Sequence, residues 1–154
     1  MCRIANDCLI KIADLNSNIT SANGGHIQTG TLWLNTTTLN VDGGEIDATA
    51  LHAQVSAING LGRLYGAQLL DAHINGDYTY AAGQRFESDG VLSLTVGGTL
   101  TNQGTLQTQG ELDITAANLI NQGSINASAG NGGASANINA SGQINNQGNG
   151  RIRP

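Results

Sequence analysis

This 154-residue chain has little charge, few rings and almost no proline. Only 11% of its residues are charged, with six Lys and Arg against eleven Asp and Glu, and it holds one Phe, one Trp, one Pro and two Cys. Globular domains usually carry about 25% charged residues. The cations Arg3, Lys11, Arg63, Arg85, Arg151 and Arg153 are scattered, and the net charge is −5. Phosphate neutralisation requires clustered cations, so nucleic-acid binding is not expected. No apolar run approaches the roughly 18 residues of a membrane-spanning helix, and none is predicted. The opening residues from Met1 to Cys8 lack the apolar core of a signal peptide. Both ends read as cut from a continuing pattern, so a fragment of a longer chain is expected. The spacing of Cys2 and Cys8 permits a local disulfide in an exported protein without requiring one. With no phosphate-binding glycine loop and no nucleophile motif, the expectation is no catalytic residue, no cofactor and no metal.

What the chain has instead is 22 glycines and many Asn, Gln, Ser and Thr, with apolar content carried by Ala, Leu, Ile and Val. Polar composition without charge is compatible with disorder, but the Leu and Ile are regularly spaced, which argues for order. Gly90 to Leu106 is restated about twenty residues later. Leu92, Leu94, Leu100, Asn102, Gly104 and Leu106 match Leu112, Ile114, Leu119, Asn121, Gly123 and Ile125, and a shorter copy runs from Ile138 to Gly148. A fixed period of this length marks a repeat architecture. Within a repeat, Leu92-Ser-Leu94-Thr-Val96 alternates apolar and polar residues, the pattern of a half-buried strand. Gly97-Gly98 and Gln103-Gly104 break it into three short strands, one coil of a β-helix. No apolar stripe of helical period survives. The chain is therefore predicted to be all-β, a single parallel β-helix (solenoid) over 1–154 with coils of roughly 20 residues.

Earlier segments follow the same grammar less cleanly. Ile10, Ile12, Ile19 and Ile27 suit one coil, and Leu32, Leu34, Leu39, Val41, Ile46 and Ala48 a second. The rhythm loosens over about 51–86, where all three tyrosines and the only Phe fall. The Ala, Ser, Gly and Asn run over about 127–136 reads as a loop insertion. A lone coil buries too few aliphatics to offset the ordering of its backbone, so the coils must stack.

The Leu-x-Asn-Gln-Gly-x-Ile/Leu corner following Gly-x-Leu-x-Leu/Ile resembles the internal repeats of filamentous haemagglutinin-type exoproteins, the two-partner-secretion adhesins and contact-dependent growth-inhibition stalks of Gram-negative bacteria. Asp77 to Phe86, leading into Gly90-Val-Leu-Ser-Leu94, is similar to them as well. The likeness is strong over about 74–150 and looser over 10–70. It implies a right-handed parallel β-helix at the cell surface or released from it, exported through an outer-membrane transporter, serving adhesion or presenting a toxin, with a surface receptor or glycan on a host or neighbouring cell as partner. The family's secretion-domain motifs and a toxin-like C-terminal region are absent, so the resemblance is to stalk alone.

Several constellations invite a chemical reading. Asn102, Asn121 and Asn145, or the adjoining Asn146, recur beside the Gln-Gly corner and suit a structural Asn ladder. Asp42-Gly-Gly-Glu45-Ile-Asp47 faintly resembles a calcium-binding β-roll, but that chemistry needs the pattern on successive turns, so a solvated turn is preferred. His52, or Asp71, His73 and Asp77, offer acid/base or metal chemistry, and a polysaccharide-cleaving enzyme is one rival reading. Thr36-Thr-Thr38, Thr99 and Thr101 prompt an ice-binding rival, which requires threonines in rows across coils. Tyr65, Tyr78, Tyr80, Phe86, Arg63 and Arg85 concentrate the rings and cations, as packing of a wider coil or as a partner surface, with Tyr78, Tyr80 and Arg85 the candidate interaction patch. Asn18, Asn35, Asn126 and Asn139 each begin a glycosylation-type triplet.

Overall fold

The computed structural model describes residues 9–21, 24–127 and 134–153, which hold strands and turns and no helix. The strands are β1 (Leu9–Thr20), β2 (His26–Asn40), β3 (Glu45–Asn59), β4 (Arg63–Ile74), β5 (Tyr78–Tyr80), β6 (Arg85–Ser88), β7 (Val91–Asn102), β8 (Thr105–Thr108), β9 (Glu111–Asn121), β10 (Ser124–Ala127), β11 (Ser135–Ala140), β12 (Ile144–Asn146) and β13 (Arg151–Arg153). The strand pairings among the described residues are all parallel, and the main sheet runs β1-β2-β3-β4-β7-β9-β11. Each coil thus lies on its predecessor about 20 residues back, and the chain is a parallel β-solenoid.

One coil shows how sequence sets the three faces. Arg85–Ser88 forms the first face, Val91–Val96 the second and Leu100–Asn102 the third, before a corner returns the chain to the first face at Thr105. Alternation puts every second side chain inward on each face. The bend between the second and third faces shifts the register between Val96 and Thr99 without ending the strand.

Stacking aligns like with like. Ile10, Leu32, Leu51, Leu70, Leu92, Leu112 and Ala136 are register partners in one column of the second face. Leu32, Leu51, Leu70, Leu92 and Leu112 are fully buried. The aliphatics expected to line the layers (Leu32, Leu34, Leu92, Leu94, Leu100, Leu106, Leu112, Ile114, Leu119 and Ile125) are all at most 2% exposed. A narrow interior filled by aliphatics, such as Leu92, Leu94 and Val96 from the second face of one coil, is what the shortage of rings requires.

The expected irregular middle is smaller than 51–86. Leu51–Asn59 and Arg63–Ile74 are regular strands, with Leu64, Leu70, Ala72 and Ile74 inward as alternation demands. The departures are a register shift between Gly66 and Leu69, the corners at 75–77 and 81–84, and the rings between those corners. The expected insertion at 127–136 also shrinks, because Ala127 closes β10 and Ser135 opens β11; residues 128–133 lie outside those described. Cys2 and Cys8 also lie outside the described residues.

Candidate functional site on the charged first face

Coil stacking gathers on the first face charges that are far apart in sequence. His26, Glu45, Arg63 and Arg85 form one outward column, and Gln28, Asp47, Tyr65 and Glu87 the next. Vertical neighbours of like charge, Arg63 and Arg85, share one carboxylate between them. Arg63 donates from Nε to Glu87 Oε2 at 2.7 Å, and Arg85 donates from Nε to Glu87 Oε1 at 3.0 Å. Arg63 Nη1 also donates to Asp47 Oδ1, whose other oxygen lies 3.1 Å from His26 Nε2. The Arg63 guanidinium sits 4.4 Å from the Tyr65 ring centroid, and the Tyr65 hydroxyl donates to Asp89 at 2.7 Å.

The electrostatics follow from this geometry. Burial on its own raises the Glu87 pKa, but hydrogen bonds and charge from Arg63 and Arg85 outweigh it and hold the carboxyl below its usual range. Burial on its own lowers the Arg63 pKa, but the bond to Glu87 and the charges of Asp47, Glu87 and Glu45 leave it raised. The bond to Asp89, then burial, raises Tyr65. Beside this network runs a groove of about 500 Å³ whose lining includes Arg63, Tyr65, Glu87, Asp89, Gln107 and Asn126. A second groove of about 480 Å³ continues past Arg85, Gln103 and Ser124. Together they offer fixed cations, carboxylates, amides and a phenol ring. That is an inventory for polar, non-covalent recognition.

The candidate patch of Tyr78, Tyr80 and Arg85 requires correction. Tyr78 is 7% exposed and Tyr80 fully buried, while Arg85 is exposed. Both rings point inward because they occupy the apolar phase of β5, and they pack on Phe86 with centroids 6.1 and 5.1 Å away. Burial, partly offset by the bond from the Phe86 amide, pushes the Tyr80 phenol up to about 12, and burial also raises Tyr78. The outward tyrosine on this stretch is Tyr65. Sequence reading singled out Arg63, Tyr65 and Arg85 but missed His26, Asp47 and Glu87 as their partners. The available signal was opposite charge about one coil apart, as for Arg63 and Glu87.

No family model, curated protein or solved structure matches the chain.

The remaining candidates separate by where stacking puts them. The Asn ladder exists in the corner core: Asn102 Nδ2 donates to Asn121 Oδ1 at 2.8 Å, and Asn121 Nδ2 to Asn146 Oδ1 at 2.7 Å. Its third member is Asn146, not Asn145, because the register sets Asn146 opposite Asn121 and Asn145 opposite Ile120. Gln103, Gln122 and Gln147 form a parallel exposed ladder one residue on. On the second face, Trp33 stacks on His52 at 3.8 Å, and His52 Nδ1 lies 3.2 Å from Asp71 Oδ2. His73 stands exposed in the neighbouring outward column, while Asp77 turns away to accept the Thr99 amide at 2.7 Å. Asp77 therefore holds a corner and does not join Asp71 and His73. Asp42 likewise accepts from the Leu61 amide at 3.3 Å, which separates it from Glu45 and Asp47 on the first face. The threonines form no long row: Thr36 faces Val55, Thr38 faces Ala57, Thr99 faces Asn118 and Thr101 faces Ile120.

Proposed function

We propose that this chain is a stalk segment of a large secreted or surface-exposed bacterial exoprotein of the filamentous haemagglutinin type, exported through an outer-membrane transporter. Its role is mechanical, holding an adhesive or toxic module away from the cell, and no reaction is assigned to it. The observation that carries this reading is the column of aliphatic register partners from coil to coil. Each coil contacts chiefly its neighbours, so a rod of this kind extends by repetition and resists bending through its continuous ladders. The absence of a helix long and apolar enough to cross a membrane among the described residues fits a segment that stands outside the bilayer. The test is turnover of a panel of acidic polysaccharides. None is expected, and cleavage that is lost in Asp71→Asn would replace the stalk with the enzyme reading.

The grooved first face favours a second role for the same rod, direct contact with a cell-surface receptor or glycan. Arg63, Tyr65 and Arg85 take over here from the buried Tyr78 and Tyr80. Binding of the purified chain to cells should fall when those three are replaced by Ala, and undiminished binding would remove the adhesive role while leaving the stalk intact.

A further inference from the structure

We propose that His26, Glu45 and Asp47 form a binding site for a divalent transition-metal ion of the zinc class, bridging two successive coils. One ligand atom from each of the three lies within 4.8 Å of the others, around a point on the outer surface of the first face. Tetrahedral zinc with bonds of about 2.0–2.2 Å places its ligand atoms roughly 3.4 Å apart, so small side-chain rotations close the set. His26 and Asp47 are already nearer, at 3.1 Å.

The backbone preorganises this set. Glu45 is the register partner of His26 on the adjacent coil, and Asp47 follows Glu45 on the same face of β3. The three side chains therefore project from rigid, ladder-bonded strands. Asp47 is oriented by an outer partner, since Arg63 holds Oδ1 and leaves Oδ2 directed at His26. Arg63 is held in turn by Glu87, and Glu87 by Arg85. Metal-binding carboxylates characteristically have such a hydrogen-bonded outer shell.

Donor chemistry selects the ion. Calcium and magnesium take oxygen ligands, whereas one imidazole nitrogen with two carboxylates suits zinc and its neighbours. Glu45 and Asp47 supply two carboxylates, one of them shared with Arg63, and solvent access at the half-exposed His26 leaves room for water to complete the shell. Occupancy would cross-link β2 to β3, adding a tie to the backbone ladder. The inference stands apart from the stalk reading and does not depend on it.

Isothermal titration with zinc chloride on the full chain tests the proposal, with Cys2 and Cys8 replaced by Ser so that thiols do not compete. One equivalent is expected to bind, with affinity about tenfold or more weaker in His26→Ala and in Glu45→Gln, and unchanged in His52→Ala and His73→Ala. Thermal unfolding should shift upward with zinc in the parent and not in His26→Ala. X-ray absorption at the zinc edge should show one imidazole among oxygen neighbours. Glu45→Gln leaves the His26–Asp47 pair in place and decides the question should His26→Ala disturb the coil. Absence of saturable binding, binding indifferent to Glu45→Gln, or two imidazoles on the ion would overturn the site and reduce His26 and Asp47 to a plain hydrogen-bonded pair.

Discussion

The corner joining the third face to the first differs between the coil of Tyr80 and the two coils that follow it. In the regular coils it contains two residues, Gln103-Gly104 or Gln122-Gly123, and the inward side chain before it is Asn102 or Asn121. Asn102 Nδ2 reaches the Ser124 carbonyl at 3.1 Å, and Asn121 Nδ2 reaches that of Arg151 at 3.2 Å. One coil earlier the register partner of Asn102 is Tyr80. Its corner is longer, Ala81 to Gln84. The Tyr80 hydroxyl shares its proton between the carbonyls of Gln84 at 2.7 Å and Thr105 at 3.3 Å, and accepts the Phe86 amide at 3.1 Å. Thr105, Ser124 and Arg151 are themselves register partners. The carbonyl at this register position thus receives a side-chain donor in three successive coils. A short amide serves it from Asn102 and Asn121, and a phenol serves it from Tyr80, beside which Tyr78 and Phe86 pack. Polar groups in a core must be satisfied, and an amide and a phenol do so here at the same register position.

Removing the wide plug should cost most. Tyr80→Ala is expected to lower unfolding stability by about 3–5 kcal/mol, as ring deletions from cores do. Denaturant midpoints would measure this, and a loss below about 1 kcal/mol would mean that the wide corner does not need its plug. Asn121→Ala comes next, because it takes one of two acceptors from the Asn102 amide, removes the donor to the Arg151 carbonyl and interrupts the ladder between Asn102 and Asn146. Its cost should fall toward the upper end of the roughly 1–3 kcal/mol for unpaired buried groups.

Tyr80→Phe keeps the ring and removes the donor, and should fall toward the lower end of that same range of about 1–3 kcal/mol. If it matches Asn121→Ala, the hydroxyl and the amide are energetic equivalents. The same variant sharpens a pH effect. Burial pushes the folded Tyr80 phenol up to about 12 and raises Tyr78 too, so the fold favours the protonated phenols. Their contribution is complete below the ordinary phenol pKa of about 10 and declines as pH rises through the folded values. Tyr80→Phe should make the alkaline loss shallower, read by unfolding midpoints across that window. The smallest effect belongs to the first face. Glu87→Gln removes two partly exposed ion pairs and should cost no more than about 1 kcal/mol, less in high salt. Since the folded Glu87 pKa is depressed, its contribution holds above the ordinary carboxylate range and fades as pH falls through the lowered value.

Glycine marks where the stacking is tightest. Gly123 lies against Gly104 of the neighbouring coil, and a Cβ there would overlap the Gly104 carbonyl oxygen. Gly60, at a three-residue corner, has φ +84° and would bring a Cβ into Asp42. At Gly104 and Gly123 backbone and ring approach leave no room for a side chain, whereas Gly148 has open space and a φ of +56°.

How much was legible varies with how local the cause is. The alternation in Leu92-Ser-Leu94-Thr-Val96 declares its inward residues through the period of two, and the spacing of Leu92 to Leu112 declares the coil. Asn146 over Asn145 was legible too, since Asn146-Gln147-Gly148 repeats the spacing of Asn102-Gln103-Gly104 and Asn121-Gln122-Gly123. Tyr78 and Tyr80 misled because rings are rare in the chain and looked like surface anchors. Their phase, inward at alternate positions like Leu100 and Asn102, was the better guide.

By itself, the sequence determined the architecture: β-forming aliphatics in alternation, glycine at the corners and a repeat of about twenty residues admit a parallel solenoid and little else. Tertiary structure decided the chemistry of its surface. His26 meets Asp47, Arg63 meets Glu87, and His52 slides between Trp33 and Asp71 only because one coil lies on the next, roughly 4.8 Å away. Contacts between coils depend on the length of every intervening corner. An added or missing corner residue changes which side chains become neighbours while leaving the alternation within each strand untouched.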